Sequence, residues 1–252
     1  FRPAANQILN RYLFRQADKL NIYGLGLLPI YLGLRMAIRA MVALHRAAHL
    51  SDAERIASHP VAKGYFKDAL MYLDPPKPRL IAVGGFSGTG KSTLARNLAP
   101  FLGAAPGAFH LRSDLERKLF LQVEETDRLD SRHYTQEISD HIYRILYRKA
   151  AMALKCGHCA IVDAVFSKQE ERQQIEAVAT ALGLDFDGLW LEAPKRVMVD
   201  RVENRSGDAS DATAAVVELQ LADSPGPISW RAINTSGSKQ DSLRIARQLI
   251  GA

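Results

Sequence analysis

The eight residues Gly85-Phe86-Ser87-Gly88-Thr89-Gly90-Lys91-Ser92 constrain the fold of this 252-residue chain more than any other feature. They satisfy G-x-x-x-x-G-K-[ST], a pattern expected by chance about 0.004 times in a chain of this composition. The flanks are as informative as the pattern. The apolar run Arg79–Gly85 reads as a strand, and Lys91–Leu102, closed by Gly103, reads as a helix. A strand, a glycine loop and a helix in that order turn successive backbone N–H groups inward in front of a helix N-terminus, which is a cradle for phosphate. Lys91 is expected to reach the β- and γ-phosphates of a nucleotide, and the Ser92 hydroxyl a Mg²⁺ ion. Gly85, Phe86, Ser87, Gly88, Thr89, Gly90, Lys91, Ser92 and Thr93 are therefore the expected nucleotide contacts.

Beyond the loop the chain keeps alternating between strand-like and helix-like stretches. Ala108–Arg112, Cys159–Val165, Asp185–Leu191 and Ser229–Asn234 read as further strands. Helices are predicted from the Ser113-Asp114-Leu115-Glu116 capping box, over about 132–156 up to Gly157, from the Ser167–Glu170 capping box, from Pro194 to about Arg205, and over Lys239–Ile250. Five apolar strands separated by helices predict an α/β fold with a five-stranded parallel sheet flanked by helices. The segment Pro75-Pro76-Lys77-Pro78 cannot continue a helix and reads as a linker. Residues 1–74 before it read as all-helical: Leu34, Ala37, Ile38, Met41 and Leu44 form an apolar stripe, and Ser51–Glu54 starts a further helix. The expected organisation is thus a helical segment 1–74, a linker 75–78 and an α/β domain 79–252.

Composition excludes several classes. Apolar residues make up 47% and charged residues 24%, so the chain is neither disordered nor low-complexity. Two cysteines cannot make a disulfide framework. The longest apolar run, Ile22–Leu34, is shorter than the ~20 residues of a membrane span and contains Pro29, so no membrane partner and a cytoplasmic location are expected. Phe1 in place of an initiator Met makes this chain the expected part of a longer protein. Residues 1–79 carry 12 basic and 5 acidic side chains, so the whole +6 net charge lies there and the α/β part is near neutral. That balance makes nucleic acid an unlikely partner. Arg35, Arg39 and Arg46 fall within about 40° on a helical wheel and read as a solvated stripe.

The candidate chemistry lies at strand ends, where open α/β sheets bind ligands. Asp114, just after the second strand at a helix start, is a candidate general base that the helix dipole should keep ionised. Arg112 and Arg117 flank it and are candidates for an anionic acceptor. Asp163 ends the strand Ala160–Asp163 and is placed either to hold Mg²⁺ with Ser92 or to contact the acceptor. Arg201 and Arg205, one helical turn apart and followed by Ser206–Asp211, have the makings of a lid that brings positive charge to the γ-phosphate. The turn from Asn234-Thr235 is a candidate for the adenine. Cys156-Gly157-His158-Cys159 lies between a helix end and a strand start, the wrong polarity for a redox site, and has no second metal-ligand cluster. His45, His49 and His59 read as ordinary helix residues.

Gly85–Thr93, Arg112–Arg117, Ile161–Phe166 and Arg201…Arg205…Asp208–Thr213 together resemble the P-loop kinases of the zeta-toxin-like, gluconate-kinase-like and chloramphenicol-phosphotransferase-like group. The resemblance implies ATP and Mg²⁺, Lys91 on phosphate, Asp114 as base, arginines at the γ-phosphate and a small-molecule hydroxyl acceptor. The loop 121–132 is where acceptor choice is expected. Residues 1–50, through Leu9–Leu13 and Arg35…Arg39, resemble the C-terminal helices of an aminoglycoside-phosphotransferase-like domain, which implies an upstream domain as partner. Two other functions stay open: a polynucleotide 5′-hydroxyl kinase, and an ATP-dependent switch acting on the upstream domain.

Overall fold

The computed structural model describes residues 1–16, 18–49, 51–205 and 209–251. Five strands form one parallel sheet: β1 (Arg79–Gly84), β2 (Phe109–Arg112), β3 (Ala160–Asp163), β4 (Asp185–Glu192) and β5 (Arg231–Asn234). Their order is β2-β3-β1-β4-β5. β3 pairs Asp163 with Val83 on one side and with Arg112 on the other, so three strands end level with one another. Strand alternation divides the core in two. Leu80 and Ala82 face α7 (Gln136–Lys155) and α8 (Gln169–Thr180). Ile81 and Val83 face α5 (Lys91–Leu98) and α11 (Lys239–Ile250). Burial on both faces explains why these strands read as apolar runs rather than alternating ones.

Three local expectations need correction. The helix after β2, α6 (Ser113–Phe120), begins at Ser113 itself without a capping box, because the Glu116 carboxylate goes to Lys149 of α7 at 2.7 and 2.8 Å. α7 begins at Gln136 rather than near residue 132. Thr135 caps it, and Ser131–Tyr134 forms a separate 3₁₀ turn. After α9 (Lys195–Glu203), the region expected as a polar turn continues into a further helix, α10 (Ala214–Ala222), capped by Thr213. Ser206, Gly207 and Asp208 of the expected lid lie outside the described residues.

The N-terminal helices divide differently from the sequence expectation. α1 (Arg2–Gln16) lies along the free edge of β2. Asn6 and Asn10 donate to the Ala108 carbonyl at 3.0 and 3.2 Å, and Asn10 accepts from the His110 N–H at 2.7 Å. Leu13 of α1, Ile22 of α2 (Lys19–Tyr23) and Leu25 are buried in the same cluster as Phe109, Leu111 and Leu146. The proline linker is thus a crossing of the chain, while residues 1–27 pack with the sheet. α3 (Leu28–Ala47) and α4 (Asp52–Leu73) form a hairpin apart from that core. Its seam is made of small residues seven apart: Gly33, Ala40 and Ala47 against Ala62 and Ala69. Of the apolar stripe, Leu34 and Met41 point away from the seam, and they and Leu44 are about half exposed. The continuous helical stretch Lys19–Ala47 holds a window of mean hydropathy 1.6, so it meets the length and composition of a membrane-crossing segment. The uninterrupted apolar run understated it.

Candidate active site

A cleft of about 310 Å³ opens beyond the ends of β1 and β3, lined by the glycine loop, Asp114, Asp163, Arg201, Arg205 and Thr235. The loop's shape depends on its glycines. Gly85 has φ +129°, and a Cβ there would lie 2.5 Å from the Leu191 carbonyl oxygen. Gly88 has φ +82°, and a Cβ would lie 2.7 Å from Met198 Cα and closer still to that residue's carbonyl oxygen. Any side chain at either position carries both a left-handed backbone penalty and a collision with backbone. The Phe86 carbonyl closes the loop, accepting from the Thr89 hydroxyl at 2.7 Å and from Lys91 Nζ at 3.0 Å.

Two carboxyl groups and four cationic side chains, Lys91, Arg201, Arg205 and Lys239, line the cleft. Asp163 is 3% exposed. Burial works to raise its carboxyl, but His110, Arg112 and Lys91 outweigh burial and hold it below the usual range. His110 Nε2 stands 3.6 Å and Arg112 Nε 3.7 Å from the same Asp163 oxygen. Burial pushes His110 down, so it is neutral at pH 7. Asp114 behaves in the opposite way: burial raises it above the ordinary value, and Arg112 only partly compensates. The loss of water outweighs the helix dipole in setting the direction of the shift. The Ser210 hydroxyl hydrogen-bonds Asp114. Burial also lowers the Lys91 ammonium, against the pull of Asp163 and Asp114.

The expected residues separate into those inside the cleft and those beside it. Lys91, Ser92, Thr93, Asp114, Asp163 and Arg205 line it together. Arg201 also lines it, but its guanidinium is engaged by the Thr235 carbonyl at 2.6 Å and the Gly88 carbonyl at 3.3 Å. Through these two carbonyls it braces the loop. Thr235 is buried and donates to the Thr89 carbonyl at 2.7 Å, a second brace. Asn234 is exposed, its Oδ1 accepts from Ser236, and it stands outside the cleft; Gly237, Lys239 and Ser242 line that end instead. Arg112 lies between Asp163 and Asp114, so its charge serves the carboxylates and not a free anion site. Arg117 faces away: it donates to the His133 carbonyl at 2.9 Å and stacks on Tyr134 at 4.6 Å.

Several contributors were missed. Gln220 of α10 accepts the Ser87 N–H at 2.7 Å, so a helix absent from the sequence reading steadies the loop. His110 was findable: two residues before Arg112 on one strand, it must share that residue's side. A third group ties the segment after Arg205 to the α6 side of the cleft. Asp211 accepts from Tyr134 at 2.7 Å and from Lys118 at 3.1 Å, and Lys118 also donates to the Asp127 carbonyl. Lys118 is 1% exposed. Burial, then Asp211, pushes the Tyr134 hydroxyl well above its ordinary value, so it stays a donor.

Cys156 and Cys159 are both free thiols, and among the described residues no group of three metal-ligating side chains forms. Comparison with known proteins agrees with the geometry. An uncharacterized protein of Mycobacterium tuberculosis is 30% identical over 225 residues, 86% of this chain and 43% of that protein. A Mycobacterium bovis protein, also uncharacterized, gives the same figures. The chain therefore spans less than half the length of these relatives. The fold is similar to that of a sugar kinase from a Janibacter species, at 19% identity and TM-score 0.51, over 69% of this chain and 95% of that one. The AAA domain family matches residues 80–227, more than half of the chain and all of the glycine-loop cleft up to α10, and the chain belongs to that family of P-loop proteins.

Proposed function

We propose that this chain is an ATP-dependent phosphotransferase that moves the γ-phosphoryl group to a hydroxyl of a small molecule. The observation that carries the reading is Asp114. It is a half-buried carboxyl, its pKa raised by loss of water, in the same cleft as the phosphate loop and Lys91. A base that takes a proton from an attacking alcohol works best when its pKa approaches the working pH, and Asp114 is shifted in that direction. Asp114 accepts the hydroxyl proton, Ser210 orients the carboxyl, and Lys91 and Arg205 supply the positive charge for the transferred group. The similarity to a sugar kinase supports the same class of acceptor. ATP as donor supports a cytoplasmic location.

The oxygen donors present fit Mg²⁺. Ser92 lies in the first turn of α5, and Asp163 is held in its charged form, both on the cleft wall. When bound there, the ion would neutralise charge on the β- and γ-phosphate oxygens.

The test is a metabolite screen for ADP release, followed by two variants. Lys91→Ala should remove measurable Mg·ATP binding in calorimetry. Asp114→Asn should leave that binding within a few-fold and cut acceptor phosphorylation by roughly 10²–10⁴. A loss under tenfold with a true acceptor would leave Asp114 as a helix-start residue and refute the reading.

A further inference from the structure

The α3–α4 hairpin is built inside out for a free surface element. Its seam uses Gly33, Ala40 and Ala47 against Ala62 and Ala69, and Gly33 is so close to Leu73 that a Cβ would lie 2.9 Å from Leu73 Cγ. The large apolar residues are left outside. On α3, Ile30, Leu34 and Met41 lie about 80–120° round the helix from the seam; on α4, Ile56, Phe66 and Leu70 lie about 50–130° from it. The rotation has the same sense on both helices. Because the start of α3 meets the end of α4, the two helices are antiparallel, and that shared sense carries both sets to one broad side of the hairpin. All six side chains are more than half exposed. Exposed His59 and Lys63 share the α4 half of this side, and six large apolar side chains exposed together with them mark a surface that another body covers.

We propose that this side is the docking surface for the remainder of a longer polypeptide of which these 252 residues are one part. The relatives support that occupant. They are covered to only 43%, yet the match takes in 86% of this chain, leaving about 35 residues unmatched. The hairpin, residues 28–73, is longer than that, so at least part of it is shared with proteins about twice this length. A membrane fits less well. Ile22 and Leu25, at the N-terminal end of the helical stretch Lys19–Ala47, are buried against α7 and the sheet, which ties that end to the core. α4 also carries Asp52, Glu54, Arg55, Lys63, Lys67 and Asp68.

The experiment uses the longer polypeptide and compares maleimide labelling of Leu34→Cys and Phe66→Cys with that of Gln248→Cys, an exposed position on α11. The expected result is labelling at least tenfold slower at the two hairpin positions, at every protein concentration. Equal rates would overturn the proposal. Slow labelling that appears only at high concentration would assign the surface to a second copy, and slow labelling only with added phosphatidylglycerol vesicles would assign it to a membrane; either overturns it. Hydrogen exchange on the unsubstituted longer polypeptide gives a readout independent of the variants' folding. Protected amides throughout α3 and α4 are expected, and hairpin amides that exchange as fast as exposed loops would overturn the proposal.

Discussion

Lys118→Met tests whether the segment after Arg205 is fixed by charge. The substitution keeps an unbranched apolar stem of similar volume and removes only the ammonium. Lys118 is 1% exposed, and Asp211, its partner at 3.1 Å, is nearly as buried. Losing the cation leaves the Asp211 carboxylate with the Tyr134 hydroxyl and only the Coulombic pull of Arg117. Breaking a buried pair from one side costs about 3–5 kcal/mol. At about 2–4 °C per kcal/mol for a chain of this size, the melting temperature should fall by roughly 6–20 °C. Replacing Asp211 by Asn in the same protein removes the stranded charge. The double variant should therefore be less destabilised than the sum of the singles, by about 0.5–3 kcal/mol. Urea unfolding of the four proteins gives the cycle. Turnover should fall with Lys118→Met as well, since the same segment seats Ser210 on Asp114. A loss under 1 kcal/mol, or strict additivity, would show that the contact is incidental.

Gly88→Ala should abolish Mg·ATP binding while the protein stays folded, because the added Cβ runs into the backbone of Met198; calorimetry at near-wild-type affinity would contradict the loop geometry. Asp114 gives a pH signature. Its folded pKa is raised, so its contribution to stability is present below the unfolded value and lost as pH rises through the folded one. Asp114→Asn should therefore melt higher than wild type at pH 7 while losing activity, and wild-type turnover should fall on acidification through a pKa above 3.8; an Asp114→Asn protein that melts lower at pH 7 counts against the burial argument. Arg39 is already held by Tyr65 at 3.0 Å. Oligonucleotides should accordingly not be retained at ~0.15 M salt, and submicromolar binding lost in an Arg35/Arg39/Arg46→Ala protein would point to a polynucleotide acceptor.

The glycine loop, the five strands and the helix Lys91 begins were legible because local chemistry alone fixes them. Apolar runs mark strands buried on both faces, and glycines mark the places where backbone approaches backbone. Asp114 and Asp163 were legible for a similar reason, since Asp163 ends a strand and Asp114 follows one at a helix start. Roles that depend on distant neighbours were not. Arg201 and Arg205 look alike in sequence, and only the position of Thr235 decides that the first becomes a brace. Glu116 satisfies a capping pattern, but Lys149, 33 residues away, offers a stronger partner. α10 lacks an amphipathic period because it is apolar nearly all round, and only Val217 of it is fully buried. The stripe on α3 was read correctly as helical, but periodicity cannot say which neighbour a stripe will face.

The asparagines of α1 bear on where this protein can be divided. β2 is the outermost strand, and its unpaired side offers the Ala108 carbonyl and the His110 N–H. A helix cannot extend a sheet, so α1 meets those groups with two amides one turn apart, as an added strand would, without offering a new row of its own. The proline linker invites a cut before residue 79. Such a cut would strip that covering and bare Phe109 and Leu111 beside an open strand edge. The shortened domain would then present what recruits foreign strands: unpaired backbone next to uncovered apolar side chains. Helix α1 thus serves as a stopper against self-association, and the smallest well-behaved unit that contains the phosphate loop begins at residue 1 or before.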